Sequence, residues 1–305
     1  MAGRARLRAW PRRSAALLPT DCLRVKRLPA LLASGIAALV LGATPAVAQA
    51  TSIDDAIVPL AAGAPGAHVL MRSRAGTGRV IEEFGDVAHA QHVVVLVPGV
   101  SWTGPKVIDE FEATRRHPAV QARAILAQAK QLDPSSRVAV VVWLDYDPPD
   151  TIDLDAAEST RAIDGAPRLV RYVNGLPPGA DVTVVCHSYG AVVCGHAAPR
   201  LRARALIVLG APGMDVNTAS QLHTRARVWA GTAPDDPIEL VPHAHIGDLG
   251  HSADPTSPAF GATALPTGNA HGHNGYFTPG TLSLRNIAHI ALGRASLVDT
   301  GAGQP

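Results

Sequence analysis

Apolar residues along this chain gather into short unbroken runs, and stretches with helical spacing lie between them. Residues 92–97 (His-Val-Val-Val-Leu-Val), 138–143 (Val-Ala-Val-Val-Val-Trp), 181–185 (Asp-Val-Thr-Val-Val) and 205–209 (Ala-Leu-Ile-Val-Leu) are continuous and mostly β-branched. Runs of this kind predict strands covered on both faces. Residues 227–230 predict another strand. Between them, 117–132 places apolar side chains at Val120, Ala124, Ala127 and Leu132, and 155–173 keeps a helical pattern until Asn174-Gly175 stops it. Both predict amphipathic helices. Upstream, His68-Val69-Leu70-Met71 and Arg79-Val80-Ile81 flank Gly76-Thr77-Gly78 and predict an antiparallel hairpin. Residues 282–292 predict a closing helix with Leu284, Ile287, Ala288 and Ala291 on one face, and Gly293 is a fitting stop. Strand alternating with helix predicts the α/β class: a mostly parallel central sheet, an N-terminal antiparallel hairpin and helices on both faces. Residues 248–280 break the pattern, being rich in Gly, Pro, His, Ser and Thr. Such a long irregular stretch inside a compact domain is usually functional, and here it predicts a lid or a rim.

The first 48 residues read differently from the rest. Eight Lys or Arg residues and one acid precede an apolar segment at 28–43, and Ala46-Val47-Ala48 follows. These are the parts of a secretory signal peptide, with cleavage expected after Ala48 and export to the medium or cell envelope as the consequence. The apolar run is too short and too interrupted for a membrane span. Without residues 1–48, the 27 basic and 25 acidic residues become 19 and 24, so a formal charge of +2 becomes −5. An acidic chain with no basic cluster argues against a nucleic-acid partner. Residues 49–66 read as a lead-in segment, 67–295 as one α/β domain and 296–305 as a flexible tail. Of the three cysteines, Cys186 and Cys194 lie beyond the leader. With one on a strand and the other two turns into a helix, about 8–10 Å apart, they are expected to stay unpaired as small buried hydrophobes.

Candidate chemistry centres on Cys186-His187-Ser188-Tyr189-Gly190, which joins strand 181–185 to the helix-like Ala191-Val192-Val193. A serine hydroxyl is a poor nucleophile until a tight turn presents it to a base and to backbone N–H groups. Small residues two before and two after the serine let strand and helix pass closely; Gly190 fits, whereas Cys186 stands where glycine is usual. A base and an acid that orients it should follow, each on a loop after a strand. Asp236, in Asp-Asp-Pro-Ile, is the first choice for the acid, with Asp235 as the alternative. His273 is the first choice for the base, with His271 as the alternative. The neighbouring His187 is expected to pack or hydrogen-bond rather than react. The oxyanion hole should use the backbone N–H of Tyr189 and that of Val100, in the loop after strand 92–97. Trp102, Trp143 and Tyr146 fall at the same sheet edge and are expected either to line an acyl pocket or to serve as core aromatics.

Several segments together carry a resemblance: Val-Leu-Val-Pro-Gly at 95–99, Trp143 with Tyr146 and Pro148, His-Ser-Tyr-Gly at 187–190, Leu-Gly-Ala-Pro-Gly at 209–213, Asp-Pro-Ile at 236–238, Asp254-Pro255 with Phe260-Gly261, and His273 with Tyr276-Phe277. Together they resemble an uncharacterised secreted bacterial branch of the α/β-hydrolase superfamily, esterase-like or lipase-like, over roughly residues 91–293. The resemblance implies the α/β-hydrolase fold and a Ser188, Asp236 and His273 triad cleaving a small-molecule or lipid ester, with neither organic cofactor nor metal. Two other readings compete. One is a metal-dependent hydrolase using His243, His245, Asp248, His251, His271 and His273, whose side chains are ligand types. The other is a catalytically silent hydrolase fold acting as an envelope binding module.

Overall fold

The computed structural model describes residues 67–72, 79–100, 117–151 and 154–299. The expected leader, the lead-in segment, the 76–78 turn and Trp102 lie outside the described residues. Among the described residues eight strands form one sheet: β1 (Ala67–Arg72), β2 (Val80–Phe84), β3 (His92–Val97), β4 (Val138–Leu144), β5 (Asp181–His187), β6 (Ala205–Leu209), β7 (Arg227–Gly231) and β8 (Thr263–Ala264), in spatial order β1-β2-β4-β3-β5-β6-β7-β8. β2 pairs antiparallel with β1 and with β4, and every other pairing is parallel. The mostly parallel α/β architecture and the antiparallel hairpin are therefore as the apolar runs predict.

The β-branched runs serve two cores at once because successive side chains point to opposite faces. Val93, Val95 and Val97 join Val184 and Cys186 beneath the helices α3 (Thr160–Asn174) and α4 (Gly190–Ala197). Val94 and Leu96 join Val140, Val142 and Ile207 beneath α1 (Pro118–Leu132) and α5 (Leu282–Ala291). Each buried aliphatic side chain contributes roughly 1.5–3 kcal/mol, so the central strands supply much of the stability. Local signals fix the helix ends. His117 caps α1 by accepting a hydrogen bond from Ala119 N at 3.1 Å, with Pro118 in the first turn.

Three expectations on the described residues need correction. The helix expected over 155–173 divides into α2 (Leu154–Ala157) and α3, with Ser159 at the boundary. The Glu158 carbonyl at this break accepts the Tyr189 hydroxyl at 2.7 Å, so a tertiary contact takes a group that a continuous helix would use internally. The irregular 248–280 stretch also supplies β8, whose two residues are too few to show an alternating pattern. Finally, residues 296–299 are moored rather than free: Asn286 Nδ2 donates to Asp299 O at 3.1 Å, and Asp299 N donates to Asn286 Oδ1 at 2.9 Å.

Candidate active site

The parallel strands carry their loops to one edge of the sheet, and Ser188 stands there immediately after β5. It is the residue where the chain reverses, with φ at 56° although it is not glycine. Backbone in that region is costly and persists only where its surroundings hold it. Here Ser188 N donates to Leu209 O at 3.0 Å and Ala191 N donates to Ser188 O at 2.9 Å. Gly190 is required by close approach: a Cβ at that position would stand 2.2 Å from Val97 O. Helix α4 thereby starts directly against the end of β3.

The structure brings the expected acid and base to the same edge. Asp236 caps the short 3-10 turn Pro237–Leu240 beyond β7, accepting from Ile238 N at 2.8 Å. His273 Nδ1 lies 2.9 Å from Asp236 Oδ1 and 3.0 Å from Oδ2. The alternatives pair with each other instead: His271 Nδ1 is 3.2 Å from Asp235 Oδ2, with both side chains mostly exposed. The Asp236 side chain is fully buried while that of His273 keeps 27% of its surface. Burial alone would raise the Asp236 carboxyl pKa, but hydrogen bonds from His273, Tyr276 and the Ile238 N–H, with the nearby imidazole charge, hold it below the usual carboxylate value.

These loops pack together around Ser188. Leu209 O accepts from the serine N–H, and the next residue, Gly210, has φ 52°. A Cβ on Gly210 would stand 2.7 Å from Asp236 Oδ2 and 3.2 Å from His273 Nδ1. His187, beside the serine, donates from Nε2 to the His273 carbonyl at 2.7 Å, and the two rings lie 4.8 Å apart. Burial, followed by the proximity of His273, lowers the His187 pKa to about 3, so its ring is neutral at ordinary pH. No hydrogen bond joins Ser188 Oγ to His273 among the described residues, and His273 Nε2 has no protein partner there. The loop after β3 closes the other side: a Cβ on Gly99 would lie 2.9 Å from Ser188 Oγ and 2.8 Å from Tyr189 N. The Gly99-Val100 peptide thus adjoins the Tyr189 N–H, the two donors expected for an oxyanion.

Two expectations about side chains change. Trp143 and Tyr146 are both fully buried and stacked at 5.9 Å, and the Tyr146 hydroxyl donates to Pro98 O at 2.6 Å. They brace the loop from within the core, and neither offers surface to a pocket. Cys186 and Cys194 form a disulfide with Cα atoms 6.3 Å apart, contrary to the expectation of free thiols. Because α4 begins at Gly190, Cys194 lies about one turn into the helix, close enough for the usual Cα span of about 4.4–6.8 Å.

Sequence reasoning overlooked two groups. Tyr276 donates its hydroxyl to Asp236 Oδ2 while accepting from Ala233 N at 3.0 Å. The motif His273-Asn274-Gly275-Tyr276 places it near the base, but only the fold shows which acid it meets. The second is a buried cluster around Asp215, which accepts from His196 Nε2 at 2.6 Å and is met by His251 Nδ1 at 2.9 Å. His251 Nε2 donates to Ala156 O at 2.8 Å. Burial would raise the Asp215 pKa, yet hydrogen bonds from His196, His251 and Ser159 bring it well below the usual value. The Tyr189 ring packs edge-on against His251 at 5.5 Å. Of the histidines in the metal reading, His251, His271 and His273 lie on three separate carboxylates, and no group of three or more ligand-type side chains forms a metal site among the described residues.

Against this geometry stand the comparisons with known proteins. A family described as alpha/beta hydrolase matches residues 73–246. The chain belongs to the α/β-hydrolase family. Two proteins of Mycobacterium tuberculosis, the uncharacterized protein Rv2079 of strain H37Rv and the uncharacterized protein MT2140 of strain CDC 1551, are each 31% identical to this hydrolase-family chain over 253 residues. The match covers 72% of this chain and 37% of theirs, so the chain spans little more than a third of the length of these curated relatives. Among solved structures, an esterase/lipase from an uncultured bacterium is 11% identical, covers 85% of this chain and 99% of its own, and has a TM-score of 0.45. The Xanthomonas campestris protein XC6422, described as a serine hydrolase without lid, is 15% identical, covers 78% of this chain and 97% of its own, and has a TM-score of 0.39.

Proposed function

We propose that this chain is an exported serine hydrolase that cleaves ester-type acyl bonds through Ser188, His273 and Asp236. The observation that carries the reading is the buried Asp236 carboxylate on Nδ1 of a partly exposed His273, with Nε2 left free, beside a serine held at φ 56°. With Nδ1–H bound by the carboxylate, the lone pair of the imidazole sits on Nε2, where a general base needs it. Ser188 Oγ attacks the ester carbonyl and passes its proton to Nε2. The oxyanion formed is met by the Tyr189 and Val100 N–H groups, whose joint loss of alignment would remove a large electrostatic contribution. As the tetrahedral intermediate collapses, His273 returns the proton to the departing alkoxide. Water then adds to the acyl enzyme, giving its proton to Nε2, and the carboxylic acid leaves as Ser188 regains its hydrogen.

Export is supported by the leader-like composition of residues 1–48 and by the Cys186–Cys194 disulfide, since such bonds persist mainly in oxidising compartments. Among the described residues no helix is long and apolar enough to cross a membrane. An acidic chain after leader removal suits a small neutral or lipid ester better than nucleic acid.

Fluorophosphonate labelling followed by peptide mass spectrometry tests the chemistry. We expect the adduct on Ser188 and none in Ser188→Ala; folded wild-type protein that takes no label overturns the reading. A series of 4-nitrophenyl esters of increasing acyl length then gives the chain preference. N-terminal sequencing of protein recovered outside the cell should begin at Gln49.

A further inference from the structure

The Cys186–Cys194 disulfide brackets the candidate nucleophile. Cys186 is two residues before Ser188, Cys194 is six after it, and both are fully buried. On one side the bond is anchored in the middle of the sheet, where Cys186 pairs with Val97 on β3 and with Val208 on β6. On the other side it holds α4, a helix with little reason to be stable by itself. That helix has eight residues, Gly-Ala-Val-Val-Cys-Gly-His-Ala, and Tyr189 at its N-cap makes no side-chain capping bond. Two glycines and two β-branched residues are poor helix formers, and isolated helices this short do not persist in water. Yet α4 must fix the Tyr189 and Gly190 peptides, and with them the positive φ of Ser188.

We propose that the Cys186–Cys194 disulfide is a positioning element for catalysis: it clamps the first turn of α4 to β5 and thereby holds Ser188 and the Tyr189 N–H in register with His273. This rests on Ser188 being the nucleophile. The cystine closes a covalent ring around His187, Ser188, Tyr189 and Gly190, so the strained turn cannot relax by letting the helix slide along the strand. It also accounts for a cysteine at the position where glycine is usual. The second cysteine, on the facing helix, makes the larger side chain useful there. Reduction by an external dithiol would convert the cystine to two thiols, with two electrons and two protons taken from the dithiol as it closes to its own disulfide. The clamp would open while the sheet stayed intact.

The test compares oxidised wild-type chain, dithiothreitol-reduced wild-type chain and Cys186→Ala/Cys194→Ala, all assayed well below their measured melting temperatures. The probes are fluorophosphonate labelling of Ser188, 4-nitrophenyl butyrate hydrolysis, and amide exchange over residues 186–194. A mispositioning of about 1 Å costs up to roughly 10²-fold, so we expect kcat and labelling rate to fall by about 10–10² with KM little changed. Amide exchange at 188–191 should accelerate in both opened forms. Equal kcat and equal exchange in all three, with only melting temperature lowered, would overturn the clamp and leave a purely structural bond. The reduced wild-type chain keeps the test decisive if the double variant fails to fold. Absence of label in the oxidised wild type would instead overturn the serine reading, and the exchange data would still report whether the bond rigidifies the turn.

Discussion

Asp236 and Asp215 each hold a histidine by Nδ1, and the difference between the two pairings lies in what each leaves over. Asp236 holds His273 by Nδ1 alone, and the ring keeps 27% of its surface and a free Nε2. Asp215 holds His251 by Nδ1, but Nε2 is spent on the Ala156 carbonyl and the side chain keeps only 2% of its surface. A histidine acts as a base through the nitrogen that its orienting carboxylate does not use. One pair is therefore built to exchange a proton, and the other ties α2, α4 and the 251 segment together.

Replacement of each histidine should break this comparison most clearly. In His273→Ala we expect hydrolysis and Ser188 labelling to fall by about 10⁴-fold or more, with the melting temperature little changed. His251→Ala should do the reverse, costing about 2–4 kcal/mol in denaturant unfolding because Asp215 and the Ala156 carbonyl each lose a hydrogen bond, Asp215 keeping those from His196 and Ser159. Its activity per folded molecule should change far less than that of His273→Ala. Similar activity losses in the two variants would end the distinction.

A smaller effect should follow from Tyr276→Phe, which removes one donor from Asp236 and leaves the ring. A hydrogen bond to a charged group contributes about 1.5–3 kcal/mol, so stability should fall by about that much. The sign with pH follows from the depressed Asp236 pKa: its contribution is present above the unfolded carboxyl pKa and lost as pH falls through the folded value. Loss of a donor raises the folded pKa, and the acid unfolding midpoint should therefore move to higher pH.

The pH response of His187 sharpens the contrast between the two sides of the serine. Its pKa falls from 6.5 unfolded to about 3 folded, so the unfolded chain binds a proton that the folded chain refuses between those values. Stability should fall as pH drops from about 6.5 towards 3, by up to about 1.4 kcal/mol per pH unit from this group. His187→Gln keeps a donor for the His273 carbonyl and should flatten that slope, as measured by urea unfolding at several pH values. An unchanged slope would place the acid sensitivity elsewhere.

Much of this arrangement was legible in the residue pattern because it depends on local rules. Continuous Val-rich runs announced the buried parallel strands, and Ser188 between a strand and a glycine announced the turn. Asp-Pro-Ile after a strand, and a histidine shortly before the closing helix, were enough to put Asp236 and His273 first among the candidate partners. What escaped depends on distance. The cysteines were separated by a turn too many because the helix start at Gly190 was not fixed. Trp143 and Tyr146 look alike as pocket or core until their burial is known, and Asp215 has no motif around it at all. β8 was invisible because two residues cannot show a period.

The consecutive acids 235 and 236 grip His271 and His273 in different surroundings. His271 and Asp235 keep 79% and 55% of their side-chain surface, whereas Asp236 keeps none. Water competes for the exposed contact and is kept from the buried one, so the outer mooring is the weaker of the two. The loop is therefore tied at two depths: even with the surface contact gone, the ring of His273 stays on Asp236 and its carbonyl stays on His187, so the base keeps its aim while the chain on its outer side is free to move.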